Sequence, residues 1–454
     1  MSTLVSNHDV LIIGGGPGGS TAAMVLARRG LRVCLLEKER HPRFHIGESI
    51  LPRTTPLIEE LGLTEELARL PQVPKLGAEF GMGDDANTMK FVFQDGLLPS
   101  YPVFNIERSV FDKMLIDQAR LAGAEVLEQT AVKSIDRLEQ DHVEISTADR
   151  KFTGRLLIDA SGHSTIVARH LGIRRNFNEP ELQKVAYFQH FDNVQRLPGG
   201  QSGYPSIFMA DEGWFWIIGL NETRTSVGFV TRPSFTKELK VPPNRLLQWA
   251  ITRCPMVRDR MRDATGPGDN LVLSDFSYVC SPLAGPGYFL VGDAGCFLDP
   301  VFSTGVTLAM VGGNEAAKLA IDMFDGKIAP ARAQRQYIQL VERSTGLLWK
   351  LIRKYYDHSL RELFLTGQGP YKVHRAIISI LAGQVFPKPV WALRWRMRLF
   401  DLCMWLQKYV ALAPRRPRFR LVDEAPVELP NIETLPPSPA SAPSPAPSLA
   451  TASA

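Results

Sequence analysis

The glycine-rich turn near the start of the chain constrains the fold more than any other stretch. An apolar, strand-like run leads into Gly14, Gly16 and Gly19, which are spaced as G-x-G-x-x-G, and an Ala-rich, helix-like segment follows them. A second apolar run, residues 31–36, ends at Glu37. Strand, turn, helix and strand in this order, closed by an acidic residue, predict a βαβ unit that binds a dinucleotide.

The residue types in this unit suit a dinucleotide for physical reasons. Gly14 permits a tight turn, Gly16 lets the backbone approach a pyrophosphate, and Gly19 lets the helix pack closely on the strand. The free N–H groups at the helix N-terminus attract phosphate. A carboxylate at Glu37 can bind both hydroxyls of an adenosine ribose and would repel a 2′-phosphate, so FAD or NAD is favoured over NADP.

Composition is typical of a globular enzyme. The 454 residues are 44% hydrophobic and 22% charged, and the net charge of +5 does not indicate nucleic-acid binding. Five scattered cysteines without a C-x-x-C pair are typical of reduced thiols in the cytoplasm, and nine histidines show no metal-ligand spacing, so no metal site is expected. Neither a signal peptide nor a transmembrane segment is expected.

Hydrophobic patterns divide the chain into four parts. A dinucleotide-binding domain is expected at residues 1–182 and 282–328, interrupted at 183–281 by short alternating runs that predict an inserted antiparallel sheet for the substrate. Helical periodicity predicts a C-terminal helical region at 329–420, and the Ala-, Pro- and Ser-rich composition that ends the chain predicts a disordered tail at 421–454. The expected fold class is α/β with a Rossmann-like domain.

Later motifs narrow the dinucleotide to FAD. Together with the glycine turn and Glu37, residues Arg108, Asp159–Gly162 and Gly292-Asp293 resemble the ordered fingerprints of the para-hydroxybenzoate-hydroxylase-like FAD flavoproteins. The resemblance implies that Glu37 binds the ribose, that Arg108 lies near the pyrophosphate and that Asp293 bonds the ribityl chain. It also implies that the turn which follows, through Gly305, approaches the isoalloxazine. Taken alone, Asp293 could equally cap a helix.

Three stretches are similar to the flavin-dependent halogenases, especially those that act on phenols, pyrroles and carrier-bound aromatics. Gly47-Glu48-Ser49 followed by Lys75 resembles the segment that contains the family's essential lysine. Trp214–Ile218 resembles the W-x-W-x-I-P signature, and Asp299–Val306 resembles the loop on the halide side. The resemblance implies a fold and a chemistry in which halide, flavin and substrate occupy separate places.

Two positions depart from the family pattern. Gly219 replaces the proline of the signature, and Phe302 occupies the place where tryptophan halogenases carry a catalytic glutamate, which argues against free tryptophan as substrate. Trp214 and Trp216 alternate on one strand and therefore share a face. With Phe302 they are expected to separate flavin from substrate, although the two tryptophans could instead fill the core of the sheet.

The resemblance implies a halide-dependent reaction. Reduced FAD (FADH2) and oxygen supply hypohalous acid from chloride or bromide, which the backbone at Ser303, Thr304 and Gly305 is expected to hold at a helix start. Lys75 then aims the halogen at an electron-rich ring, and burial would lower its pKa. Lys75 could alternatively be a solvated loop residue. Glu48 could accept a phenol proton, orient Lys75, or simply be an acid at a helix N-terminus.

Residues 389–420 are basic and aromatic. Positions 391, 395, 399, 402 and 406 are predicted to form one apolar helical stripe. Three interpretations remain open: a helix packed on the body, a dock for an acidic acyl carrier protein, or a membrane contact.

The sequence therefore predicts a cytoplasmic, FADH2- and O2-dependent halogenase of secondary metabolite biosynthesis. Its substrate would be a phenol or pyrrole, free or bound to a carrier protein. A separate flavin reductase is expected because the chain shows no second nucleotide motif. The alternatives are an FAD-dependent aromatic monooxygenase, a geranylgeranyl-reductase-like oxidoreductase, or a non-catalytic FAD-binding partner protein.

Overall fold

The structure is a computed structural model that describes residues 5–177, 179–180, 182–274, 277–297, 299–427, 429 and 432. Its strands, numbered in chain order, are β1 (Val5–Asn7), β2 (Val10–Ile13), β3 (Val33–Leu36), β4 (Val73–Pro74), β5 (Gly77–Met82), β6 (Met89–Val92), β7 (Phe104–Asn105), β8 (Glu125–Leu127), β9 (Ser134–Glu139), β10 (His142–Ser146), β11 (Lys151–Gly154), β12 (Leu156–Asp159), β13 (Arg174–Asn176), β14 (Val185–Asp192), β15 (Ser206–Met209), β16 (Gly213–Gly219), β17 (Arg224–Thr231), β18 (Leu271–Leu273), β19 (Tyr278–Cys280), β20 (Ala284–Gly285), β21 (Tyr288–Leu290) and β22 (Cys296–Phe297).

The α-helices are numbered in the same way. They are α1 (Pro17–Arg28), α2 (Thr54–Glu60), α3 (Thr64–Ala68), α4 (Arg108–Leu121), α5 (Ile166–His170), α6 (Pro233–Leu239), α7 (Leu246–Ile251), α8 (Pro255–Arg260), α9 (Gly305–Phe324), α10 (Pro330–Tyr355), α11 (His358–Phe364), α12 (Val373–Leu381) and α13 (Trp391–Gln407).

A six-stranded sheet in the order β20-β21-β12-β2-β3-β8 forms the nucleotide-binding half, and all its neighbouring strands except β20 and β21 pair in parallel. Every residue of β2 and β3 is buried, as expected for parallel strands covered on both faces. The predicted β2–α1–β3 unit is confirmed. Gly14 has a φ of +101°, which favours glycine, and a Cβ on Gly19 would lie 1.9 Å from the Gly14 carbonyl oxygen.

The second large sheet has seven strands in the order β18-β14-β17-β16-β15-β5-β6. The α/β fold class is confirmed, but the structure corrects two details of this sheet. Strands β5 and β6 come from residues 77–92, before the predicted insertion, and β15 pairs with β5 in parallel. All six residues of β5 are buried and two of them are glycines, so the segment lacks the alternation by which a strand is recognised.

Smaller sheets complete the fold. A four-stranded sheet in the order β1-β11-β10-β9 extends the nucleotide-binding half. Two short sheets have the strand orders β13-β19-β22 and β4-β7. Helix α1 packs against both α9 and α4. This packing brings the N-termini of α9 and α4 close to the glycine turn. No α-helix among the described residues is both long and apolar enough to cross a bilayer.

The C-terminal region differs from prediction at two places. Helix α13 buries Leu393, Met397, Phe400 and neighbouring side chains, so the predicted stripe at 391, 395, 399, 402 and 406 is not its packing face. The helix carries its own apolar side chains on more than one face, so the periodicity of the sequence alone did not identify which face is buried. The tail predicted to be disordered begins at Leu421, which is fully buried and starts a short 3-10 helix. Residues 433–454 lie outside the described part.

Candidate active site

A cavity of about 640 Å³ lies at the carboxyl ends of the parallel strands β2, β3, β12 and β21. Its volume is within the range of ligand pockets, about 300–1,000 Å³. Most of the predicted cofactor and halide residues line it: Gly14, Gly16, Glu37, Arg108, Asp293, Ser303, Thr304 and Gly305. Gly19 does not line the cavity and packs behind the turn, so it shapes the site without contacting a ligand.

Glu37 is fixed at one end of this cavity. Its Oε2 accepts a 2.6 Å hydrogen bond from the Gly15 N–H, and its Oε1 accepts a 2.8 Å hydrogen bond from the Glu39 N–H. The side chain is buried except where it faces the cavity. The carboxylate is therefore held rigidly beside the glycine turn, where remaining lone pairs can accept hydrogen bonds from ribose hydroxyls.

Two arginines carry positive charge along the middle of the cavity. Arg108, the first residue of α4, binds Asp112 through Nε (2.7 Å) and Nη2 (2.9 Å) and donates from Nη1 to the Ile46 carbonyl (2.7 Å). Arg43 was not predicted. Its buried Nη1 has no hydrogen-bond partner and lies 3.5 Å from Asp112, and its Nη2 lies 3.6 Å from where a Cβ on Gly16 would stand.

These arginines fit a pyrophosphate. Asp112 lies against both arginines and balances one of their two positive charges. The Arg43 guanidinium has its Nη2 beside the glycine turn, while its buried Nη1 has no hydrogen-bond partner among the described residues. A buried donor left unpaired costs about 1–3 kcal/mol, so a phosphate oxygen would satisfy it. Arg43 belongs to no recognised sequence motif, so its place in the site was not predictable from the sequence.

Asp293 lies at the other end of the cavity, in a 3-10 helix of residues 292–294 that follows β21. Burial raises the pKa of its carboxyl. His163 Nε2 lies 3.8 Å from Asp293 Oδ2, and a Cβ on Gly305 would lie 3.8 Å from Oδ1. The turn to α9 thus approaches Asp293 closely, and His163 is a second residue of the site that the sequence did not reveal.

The turn before α9 offers unpaired backbone donors to the cavity. Ser303 adopts a left-handed conformation with a φ of +55°, Thr304 caps the 20-residue helix, and no side chain occupies the cap. The first main-chain bond within this segment runs from Leu308 N to Thr304 O. The N–H groups at Gly305 and Val306 therefore remain available where the helix dipole is positive, an arrangement suited to a small anion.

Trp214 and Trp216 lie side by side on β16 and both line the cavity, with ring centroids 5.9 Å apart. Trp214 Nε1 donates to Tyr356 Oη (3.1 Å), and Tyr356 donates to Asp299 Oδ2 (2.6 Å). Phe302, predicted to share this wall, is not among the lining residues and instead packs edge-on against Tyr355. Phe302 is buried in the short 3-10 helix of residues 300–302, whose other two residues, Pro300 and Val301, line the cavity.

Lys75 is buried, so the alternative of a solvated loop lysine is wrong. Its Nζ donates a 2.9 Å hydrogen bond to the Ile50 carbonyl and lies 5.2 Å from the centre of the Phe93 ring. Burial lowers the pKa of Lys75 to about 7. Near neutral pH the amine can therefore act both as a proton donor and as a nucleophile.

Lys75 lines neither of two cavities, but its contact residues Ile50 and Phe93 adjoin lining residues of both. Ile50, which accepts its hydrogen bond, directly follows Glu48 and Ser49 in the lining of the first cavity. On the other side, the Phe93 ring packs 5.8 Å from Phe91, which lines a second cavity of about 1,220 Å³. β6, α12, α13 and the loop after α11 enclose this second cavity.

Glu48 lines the first cavity but is paired with His190 rather than Lys75. Glu48 Oε1 lies 2.8 Å from His190 Nε2 on β14. Burial alone would lower the pKa of His190, but the Glu48 carboxylate raises it above the ordinary value. The prediction that Glu48 orients Lys75 therefore gains no support from its contacts, and its role as acceptor of a phenol proton stays a prediction.

One compact group of potential metal ligands occurs among the described residues, although the sequence predicts no metal site. His8, Cys34 and Glu125 bring their ligand atoms within 4.8 Å of one another. Burial raises the pKa of the Cys34 thiol, which disfavours the thiolate that a metal requires. None of the three lines either cavity.

The buried lysine makes stability depend on pH. Folding lowers the pKa of Lys75 from 10.5 to about 7, so between these values the unfolded chain binds more protons than the folded chain. The destabilisation is complete below that window and disappears as the pH rises through it. We expect Lys75→Met to exceed the wild type in free energy of unfolding at about pH 7, with the gap narrowing by about pH 9. Urea unfolding at both pH values measures this gap, and a constant gap would contradict the burial of a titrating amine.

Comparison with known proteins identifies relatives for this arrangement. Residues 7–321 match the model of the FAD binding domain family. The 1H-pyrrole-2-carbonyl-[peptidyl-carrier protein] brominase of Pseudoalteromonas luteoviolacea is 34% identical over 73% of this chain and 82% of the relative. The corresponding chlorinase of Pseudomonas fluorescens is 26% identical over 84% of this chain and 90% of the relative. The structure of the myxobacterial chondrochloren halogenase, an FAD-dependent halogenase, superposes with a TM-score of 0.72 at 31% identity, covering 88% of this chain and 97% of that one.

Proposed function

Because this chain belongs to the flavin-dependent halogenases, which are FAD-binding oxidoreductases, we propose that it halogenates a pyrrole or phenol ring carried as a thioester on an acyl carrier protein. Two of its relatives act, by name, on pyrrole-2-carbonyl groups bound to a peptidyl carrier protein. The observation that carries the proposal is the buried amine of Lys75. It bonds to Ile50, which follows the first cavity's lining residues Glu48 and Ser49, and it contacts Phe93, which packs on Phe91 in the lining of a second cavity large enough for an aromatic acyl group.

FAD is assigned to the first cavity by its polar groups. Glu37 would hold the ribose hydroxyls, Arg43 and Arg108 the pyrophosphate, and Asp293 the ribityl chain. When bound in its reduced form, FAD would supply the two electrons that reduce one atom of O2 to water, while the other oxygen atom oxidises the halide to hypohalous acid. The chain's described residues include one such cavity at the carboxyl ends of the sheet, and we assign the reduction of FAD to a separate flavin reductase.

The protein's own residues would then direct the halogen. The N–H groups at the start of α9 hold chloride or bromide, and the tryptophan pair on β16 covers the cavity so that the ring and the flavin do not meet. Hypohalous acid passes to Lys75, which donates a hydrogen bond to its oxygen from Nζ. The ring attacks the halogen, the halogen–oxygen bond breaks, and the ring loses a proton, leaving aryl halide and water.

Five free, buried cysteines support a reducing compartment, and we propose the cytoplasm. The function is tested with FADH2 supplied by a reductase, oxygen, bromide or chloride, and pyrrole-2-carbonyl or hydroxybenzoyl thioesters on a carrier protein. Mass spectrometry should show a halogenated acyl group whose formation requires halide. A hydroxylated product formed equally without halide would instead identify an aromatic monooxygenase, and FAD binding without oxygen consumption would identify a non-catalytic protein.

Arg43 should contribute to FAD affinity. A charge-assisted hydrogen bond contributes about 1.5–3 kcal/mol, so we expect Arg43→Gln to raise the Kd for FAD about tenfold. Arg40→Gln is a matched control, since Arg40 is exposed only three residues away. Fluorescence titration of each apoprotein with FAD measures the Kd of the two variants. Equal affinities of the two variants would remove Arg43 from the site.

A further inference from the structure

Helix α13 has two apolar faces, and only one of them is packed. Opposite its buried side, a row of side chains recurs at intervals of three, four and seven residues. This row, called the aromatic face below, consists of Trp391, Trp395, Leu402, Trp405 and, just after the helix, Tyr409. Trp391, Trp405 and Tyr409 are 74%, 55% and 73% exposed. Their rings pair along the helix, with centroids 5.9 Å apart for Trp391–Trp395 and 5.3 Å for Trp405–Tyr409.

An aromatic face of this kind indicates an interaction surface. Isolated exposed apolar residues are ordinary, but contiguous exposed patches mark binding sites, and tryptophan, tyrosine and arginine are the residues that contribute most at protein interfaces. Trp391 and Trp405 are exposed and are not among the side chains by which α13 packs on the body of the protein. These properties are typical of a surface that binds a partner.

The surroundings of the aromatic face select an anionic partner. Residues 388–420 contain nine lysines and arginines and one acidic residue, Asp401, which is paired with Lys354. Five of the nine, Lys408, Arg415, Arg416, Arg418 and Arg420, pair with acids elsewhere in the protein, so the charge available to a partner lies mainly on α13 itself. Arg394 and Arg398 are exposed on the same side of α13 and have no ion-pair partner among the described residues. Uncompensated arginines beside exposed aromatics favour a partner that presents carboxylates around an apolar centre.

The aromatic face adjoins the second cavity. Trp395 lies 6.2 Å from the ring of Tyr371, and Arg396 Nε donates a 2.9 Å hydrogen bond to the Tyr371 carbonyl. Tyr371 directly follows Pro370, which lines the second cavity, and the buried side of α13 adds Phe400 to the same lining. A partner seated on the aromatic face would thus lie beside the second cavity. Lys75 lies behind the lining of that cavity, since its Nζ is 5.2 Å from the Phe93 ring, which packs 5.8 Å from the lining residue Phe91.

We propose that the aromatic face of α13 docks the acidic carrier protein and that the pantetheine arm enters the second cavity to present its ring to Lys75. This inference rests on the proposed function. Continuity with the second cavity favours a carrier protein over a lipid surface, because a lipid surface needs no adjoining cavity. If the test below shows that the aromatic face binds a lipid surface or a second copy of this chain instead, the proposal is contradicted.

The test uses two surface variants of the full chain. Trp391→Ser/Trp405→Ser removes apolar contacts, and Arg394→Glu/Arg398→Glu reverses the charge. Leu121→Ser and Arg262→Glu are matched controls, since Leu121 and Arg262 are exposed and lie outside both cavities. Each test variant should raise KM for the carrier-bound ring at least tenfold, about 1.4 kcal/mol, without lowering kcat. KM for the same ring as a free pantetheine thioester should not change.

Binding measured without catalysis separates this inference from the proposed function. Fluorescence anisotropy of a labelled carrier protein should show tight binding to the wild type and both controls, with at least tenfold weaker binding to both test variants. Unchanged carrier binding in the variants would overturn the docking site even if halogenation occurs. The docking site would also be overturned if the test variants kept carrier binding but lost binding to phosphatidylglycerol vesicles, or lost a dimer that the wild type forms in sedimentation. Failure of the wild type to halogenate either thioester would contradict the proposed function while carrier binding persists.

Discussion

Lys75→Met should lose halogenating activity by at least about 100-fold while it continues to bind FAD and to consume oxygen in the presence of reduced FAD. The variant removes the buried amine that bonds to Ile50 and contacts the Phe93 ring, and methionine fills nearly the same buried volume. Lys75 does not line the FAD cavity, so the affinity for FAD should not change. Product analysis by mass spectrometry and an oxygen electrode measure the two activities separately.

The control for this variant is Lys350→Met, which removes an exposed lysine on α10 and should retain full halogenation. Halogenation by Lys75→Met at the wild-type rate would refute the role of the buried amine. A parallel loss of FAD binding would instead indicate that Lys75 supports the structure of the first cavity.

Gly19→Ala should weaken FAD binding ten- to a hundredfold and lower the free energy of unfolding by about 1–3 kcal/mol. A Cβ at this position would lie 1.9 Å from the Gly14 carbonyl oxygen and 3.2 Å from the Ala160 side chain. Because the nearest atom belongs to the backbone, α1 must move away from the glycine turn, and the pyrophosphate loses the N–H groups at the helix start.

Gly346→Ala provides a contrasting control. Gly346 lies inside α10, and a Cβ there would meet no atom within 4 Å. Alanine is favoured over glycine in a helix interior, so this variant should be more stable by about 0.5–1 kcal/mol with unchanged FAD affinity. Titration of the apoproteins with FAD and urea unfolding give both quantities. Wild-type FAD affinity in Gly19→Ala would contradict the close packing of α1 on the turn.

Local patterns predicted the nucleotide-binding half well. The β2–α1–β3 unit depends on neighbouring residues, and Glu37 reaches the glycine turn because strand length and direction fix where β3 ends. The alternation of Trp214 and Trp216 likewise predicted that both would face the same cavity. These features follow from short-range geometry that a sequence displays directly.

Features that depend on distant partners were not predictable in the same way. The parallel pairing of β15 with β5 joins segments more than 120 residues apart, and Glu48 meets His190 across a similar separation. Arg43 belongs to no motif, although it lines the FAD cavity beside the glycine turn. For α13, apolar residues on opposite sides left the packing face undetermined until the body of the protein was in place.

The most direct test of the central claim, that halogen passes from the FAD cavity to the ring by way of Lys75, is a single-turnover experiment. Enzyme loaded with FADH2 is mixed with oxygen, bromide and the carrier-bound ring, with a scavenger of free hypobromous acid in solution. The wild type should yield brominated ring with little brominated scavenger, whereas Lys75→Met should yield brominated scavenger and unmodified ring. Equal bromination of the ring by both proteins, or hydroxylation of the ring, would contradict the claim.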